Sequence, residues 1–315
     1  LGTIIEGVSL QMGCIVLFGL VALLLRTGGF RWLDKTIKVL LGTMALLTFT
    51  ATAMVLPQVD WSSFSLGLPP AAMDAAAIGF VVALAGWMPA PMDISVWNSM
   101  WALAKRDATD HRPSPEETRF DFNLGFALCV LLALCFLTLG AVVMHQEGLE
   151  PAAGGVAMAN QILSLFTEAL GTWSYPVVGF AAFAVMFSTT LTVLDAFSRV
   201  LVVMIDRLQT PENPGEASRD LATDRGYWMA FVFLIGGSLI LLYGFLQNLA
   251  QMVDLATTLS FVTTPVLAWF NHRAMHSEEV EAAYRPSKTM TWFSRVCVLV
   301  LSGFALFYLE HRFLG

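Results

Sequence analysis

Eight apolar stretches of about twenty residues recur along this chain of 315 residues, and they limit what it can fold into. A helix that crosses a bilayer needs roughly 20 consecutive apolar residues. The stretches lie near 4–25, 39–56, 71–104, 124–144, 174–205, 227–246, 248–270 and 293–309, the third being broken at 88–91. They are apolar all round, whereas the strands of a lipid-facing barrel alternate residue by residue. Composition agrees, with 57% hydrophobic and 13% charged residues, against roughly 45–50% and 25% in soluble domains. The expectation is an all-α polytopic membrane protein, a single transmembrane helical domain over 1–315.

Charge sets the orientation. Of 17 basic residues, 16 fall on one side if every stretch crosses once. Arg26, Arg31, Lys35 and Lys38 flank the first connection, and Lys105, Arg106, Arg112 and Arg119 the third. Arg199, Arg207, Arg219 and Arg225 flank the fifth, and Arg273, Arg285, Lys288 and Arg295 the seventh. Only Arg312 lies opposite. The positive-inside rule makes those four connections cytoplasmic. Both ends of the chain then lie outside, an awkward layout for a complete protein that starts at Leu1. An odd number of preceding spans would restore a cytoplasmic start, so the chain reads as the C-terminal part of a longer transporter-like protein. Few charges on the outer side fit a bacterial inner membrane.

Several function classes drop out. A net charge of −7 gives no basic face for nucleic acid. Cys14, Cys129, Cys135 and Cys297 sit in apolar runs without metal-type spacing and read as packing residues. The polar connections 105–122 and 209–226 are too short to fold alone. No P-loop, Gly-x-Ser-x-Gly motif or nucleophile–base pair is present, so the chain is not expected to be an enzyme. His272 and His276 have i,i+4 spacing but stand among the charges of a connection.

The third stretch carries the sharpest signal, Ala-Leu-Ala-Gly-Trp-Met-Pro-Ala-Pro-Met-Asp at 83–93. Two prolines within three residues cannot continue a helix, since each lacks an N–H and constrains its predecessor. The expectation is two half-helices with a break at membrane depth. Carbonyls freed there are tolerated only facing protein or a watery cavity, and transporters use such breaks to coordinate ions. Met88 adds a thioether, a soft ligand suited to transition metals; its bland role is core filling. Asp93 follows the break, either as a metal-attracting carboxylate or as the N-cap of the next helix.

Ala85-Gly86-Trp87-Met88-Pro89 resembles the Ala-x-x-Met-Pro of the broken sixth helix in the Nramp (natural resistance-associated macrophage protein) divalent-metal transporters. Ala90 and Pro91 stand where that family has His and Asn, which marks a divergent branch. Phe30–Lys35 with Leu41–Ala45 resembles the connection from helix four into helix five, and Gln251–Pro265 resembles helix ten. The resemblance implies a 5+5 inverted-repeat (LeuT-like) fold with the site between broken helices one and six. The eight stretches would be helices four to eleven, with the first three helices, and half of the metal site, absent. It also implies that the Ala85 carbonyl and the Met88 sulfur are metal ligands.

Ionisable groups inside apolar stretches are functional candidates. Asp254, with Gln251 three residues before it, is either a further metal-side group or a carboxylate stabilising the helix N-terminus. Asp195 and Arg199 share a helix face and should pair. Asn98 and Ser99 extend a polar path or join helices. Glu6 and Glu168 lie near the outer boundary.

The function expected is secondary transport of a divalent metal of the Mn or Fe type, as symport with protons and by alternating access. The cation is substrate, and no resident cofactor is called for. Two alternatives stand: a Mg²⁺ transporter of a related branch, a hard ion wanting oxygen ligands, and a non-transporting sensor or assembly protein that kept the fold.

Overall fold

In the computed structural model, the structure describes residues 10–27, 30–62, 75–87, 90–109, 113–146, 148–150, 152, 155–209, 224–245 and 249–313. Among these there is no strand. The helices are α1 (Leu10–Thr27), α2 (Phe30–Val55), α3 (Ala75–Trp87), α4 (Ile94–Thr109) and α5 (Pro115–Leu139), followed by α6 (Gly155–Leu170), α7 (Ser174–Gln209), α8 (Arg225–Phe245), α9 (Leu249–Met275) and α10 (Lys288–Phe313).

Among the described residues, six helical segments are long and apolar enough to cross a bilayer: Lys38–Gln58, Pro115–His145, Ser174–Gln209, Arg225–Gly244, Gln251–Met275 and Lys288–Glu310. Large apolar side chains on them face outward, such as Phe233 at 74% and Ile240 at 75% exposure. Outward apolar surface on this scale needs lipid around it. The third apolar stretch instead forms two short helices, α3 and α4, on either side of its prolines. The protein is an integral membrane protein.

Local chemistry explains where helices start and stop. Pro115 is the first residue of α5, where its missing N–H costs nothing. Ahead of it, Ser114 N–H donates to Glu117 Oε2 at 2.8 Å and Glu117 N–H to Ser114 Oγ at 3.2 Å, a reciprocal capping box. After Leu139 the helix widens into a π turn over Gly140–His145. At the end of α6, Gly171 adopts φ +95°, the left-handed conformation glycine takes past a helix terminus. Its N–H donates to Thr167 O at 2.9 Å.

Two compact units divide the chain. The first takes residues 1–61, 97–112 and 125–249; the second takes 62–96, 113–124 and 250–315. In the first unit the long helix α7 is the hub, packed against α1, α2, α6 and α8. Small residues (Gly179, Ala181, Ala184, Ala196, Ser198) are buried along it, which lets neighbouring backbones approach closely. One core joins Ala51 and Val55 of α2, Leu139, Leu163, Leu165 and Phe166, and Val178 of α7. Another joins Val21, Leu191, Leu194 and Phe231. In the second unit Val82 of α3, Phe261 of α9, and Ala305 and Tyr308 of α10 form the core.

Candidate substrate site at the helix break

α3 ends at Trp87 and α4 begins at Ile94. Met88 and Pro89 lie outside the described residues. Ala90 and Pro91 belong to no helix, and Met92 and Asp93 form a turn. In that turn Ile94 N–H donates to Pro91 O at 3.2 Å and Val96 N–H to Asp93 O at 2.9 Å. Asp93 therefore occupies the N-cap position, the residue before the first helical one, but its side chain makes no capping hydrogen bond among the described residues.

Within the second unit, α9 backs both sides of this break. Trp87 Nε1–H donates to Ser260 Oγ at 2.9 Å. Asn271 Nδ2–H donates to Ser95 Oγ, also at 2.9 Å. The last residue of α3 and the first turn of α4 are thus tied to stations eleven residues apart on one helix, about 16 Å at 1.5 Å per residue.

The approach of α3 to α9 is close because residue 86 is glycine. A Cβ there would collide with the Thr257 carbonyl oxygen and lie 3.2 Å from Phe261 Cβ. Thr257 is buried, its hydroxyl spent on Val253 O at 2.7 Å and Asp254 O at 3.1 Å. Four residues past Phe261 comes Pro265, inside α9. Having no N–H, it leaves the Phe261 carbonyl without its helical donor, one turn from the Gly86 contact.

The five residues singled out in the sequence fall as follows. Ala85 is exposed at the end of α3, beside the Gly86 contact with α9. Gln251 is exposed and Asp254 half-buried in the first turns of α9, Asp254 one turn before Thr257. Asp93 begins α4. Met88 is outside the described residues. No group of three or more His, Cys, Asp or Glu able to hold a metal occurs among the described residues.

A second polar constellation lies in the first unit. Asp195 of α7 is 7% exposed. Its Oδ2 accepts from Arg199 Nε at 2.9 Å and from Trp101 Nε1 of α4 at 3.1 Å; its Oδ1 accepts from the Tyr227 hydroxyl of α8 at 2.7 Å. The Asp195–Arg199 pair forms as its spacing suggested. Trp101 and Tyr227 escaped the sequence reading, because partners 94 and 32 residues away leave no local periodic signal. Trp87–Ser260 and Ser95–Asn271 were missed for the same reason.

The two histidines on α9 serve the junction with α10. His272 Nδ1 lies 2.7 Å from Ser294 Oγ; His276 bonds the His272 carbonyl at 2.7 Å and Thr291 Oγ1 at 2.8 Å. Their ring centroids lie 4.3 Å apart, with the planes tilted by 34°. In the first unit a cavity of about 280 Å³ is lined by Met54, Val55, Gln58, Val142, Val143, Glu168 and Ala169.

An all-helical integral membrane protein with one apolar stretch interrupted at two closely spaced prolines is the class these features define. The chain belongs to the Nramp family, matching the natural resistance-associated macrophage protein-like family over residues 2–309. It is 30% identical over 303 residues to the uncharacterized protein PM0681 of Pasteurella multocida (strain Pm70). That alignment takes in 94% of this chain and 66% of the relative, so the chain spans just under two thirds of the relative's length. No solved structure matches the chain.

Proposed function

We propose that this chain is part of a secondary transporter of divalent transition-metal ions, of the Mn or Fe type, working by alternating access with protons as the coupling ion. The observation that carries this reading is the break between the end of α3 at Trp87 and the start of α4 at Ile94, backed on both sides by α9. A break of this kind presents main-chain oxygens inside the bilayer, and family membership makes a divalent cation the natural occupant. The Ala85 carbonyl and the Met88 thioether are the proposed ligands. Asp93, Gln251 and Asp254 are proposed as surrounding oxygen donors. In this reading the basic connections face the cytoplasm of a bacterial inner membrane.

Met88 gives the reading its selectivity, since a soft sulfur favours transition metals over Mg²⁺. The test is uptake of Mn²⁺, Fe²⁺ and Mg²⁺ by the full-length protein in proteoliposomes, with and without a pH gradient. Uptake of Mn²⁺ that Met88→Ala weakens while Mg²⁺ gains relative to it supports the reading. Mn²⁺ uptake and metal preference unchanged by Met88→Ala would remove Met88 as a ligand.

A second reading is favoured by Ala90 and Pro91, which stand where the resemblance to the family places His and Asn. It makes the protein a non-transporting sensor or assembly protein that kept the fold. Absence of Mn²⁺, Fe²⁺ and Mg²⁺ uptake by the full-length wild type in proteoliposomes would support it.

A further inference from the structure

We infer that Asp195 is a positioning residue that docks the second half-helix, α4, through the Trp101 indole, and that this hydrogen bond is a releasable latch. What release would serve rests on the transport reading above; the latch itself rests on geometry within the first unit.

The three donors to Asp195 are not equivalent. Arg199 lies on the same helix as the carboxylate, one turn on, and Tyr227 belongs to α8, which packs along α7. Each holds a different oxygen: Arg199 on Oδ2 at 2.9 Å, Tyr227 on Oδ1 at 2.7 Å. Trp101 shares Oδ2 and makes the longest of the three contacts, 3.1 Å. If α4 withdraws, both oxygens keep a partner and the charge keeps its guanidinium. Breaking a buried ionic site is costly when it strands a charge; removing Trp101 strands none. α7 and α8 form a self-sufficient post, and the donor by which α4 reaches its carboxylate is neutral.

The facing side of α4 carries an opposing contribution. Trp97, one turn before Trp101, packs edge-on against it with ring centroids 6.0 Å apart and lies against Phe197 of α7 at 6.2 Å. Its indole Nε1 is buried and has no hydrogen-bond partner, alone in this among the described residues. A buried donor left unpaired penalises the docked arrangement. Release to water removes that penalty. The orphaned indole thus offsets part of what the hydrogen bond to Asp195 and the aromatic packing of Trp97 contribute to docking α4, and a two-position element needs such opposing contributions.

The test uses the full-length protein in lipid nanodiscs with ¹⁵N-labelled tryptophan. Trp97→Phe and Trp101→Phe assign the two indole signals, and the readout is hydrogen exchange of the Trp97 indole. Trp101→Phe should speed that exchange about tenfold, the equilibrium factor for one hydrogen bond to a charged group. Asp195→Asn, which keeps the side-chain shape and weakens the acceptor, should shift it the same way and decides the matter if Trp101→Phe does not fold. Tyr227→Phe removes a donor from the same carboxylate without touching α4, and should leave Trp97 near its wild-type rate. Exchange unmoved by both Trp101→Phe and Asp195→Asn overturns the latch, as does equal acceleration by Tyr227→Phe. Faster exchange in a protein that moves no metal would remove the transport reading and keep the latch; metal uptake with unmoved exchange would do the reverse.

Discussion

Trp87 and Ser260 are 173 residues apart in sequence and joined by a 2.9 Å hydrogen bond from the indole to the hydroxyl. The bond fixes the last residue before the helix break onto α9, where Gly86 has already brought the two backbones together. Trp87→Phe keeps the ring and loses the donor, and should cost about 0.5–1.5 kcal/mol. Ser260→Ala should cost a similar amount, and the double variant little more. Thermal unfolding of the four proteins in one detergent checks this; full additivity would mean the bond is not formed.

Gly86→Ala should destabilise by about 1–3 kcal/mol, because the added methyl meets main-chain atoms of Thr257 that cannot swing aside. Gly79, two turns earlier on α3, has no described atom within 4 Å of its would-be Cβ. Gly79→Ala should be neutral or slightly stabilising, since it removes a flexible residue from a helix interior. Equal melting temperatures for the two variants would contradict the close approach.

Around Asp195 the order of effects should follow charge. Arg199→Leu leaves a mostly buried carboxylate without its cation and should cost about 3 kcal/mol. Tyr227→Phe removes one hydrogen bond to that carboxylate, about 1.5–3 kcal/mol. Denaturation curves on the same membrane mimetic rank them, and a milder effect of Arg199→Leu would show that the ion pair is dispensable.

At the start of α5, Ser114→Ala should cost about 1 kcal/mol by stripping the cap from the first turn. Hydrogen exchange at the amides of Glu116 and Glu117 should rise with it. Unchanged protection there would mean that Pro115 and the helix itself set the boundary.

The all-helical class and the break were legible in the sequence because both come from composition over short windows. Twenty apolar residues demand a spanning helix, and two prolines forbid one. Asp195–Arg199 was legible because four residues is one helical turn. What stayed hidden is rotational. A helix apolar on every side gives no hint of which face meets which neighbour, so Trp101, Tyr227 and Ser260 could not be paired from their positions. The π turn at Gly140–His145 was hidden too, since its single extra residue leaves the hydropathy of the run unchanged. Pro265 sits within a helix that continues through it, where hydropathy marks only an apolar run.

Pinning both ends of the break to α9 has a consequence for how this lineage can change. The separation of the two ends is set by a rod of twelve residues from Ser260 to Asn271 and not by the six residues from Met88 to Asp93. Those six can be respelled, as Ala90 and Pro91 already are relative to the family pattern, while the frame around them keeps its dimensions. Substitutions confined to the loop then need no compensating mutation in the helices that hold it.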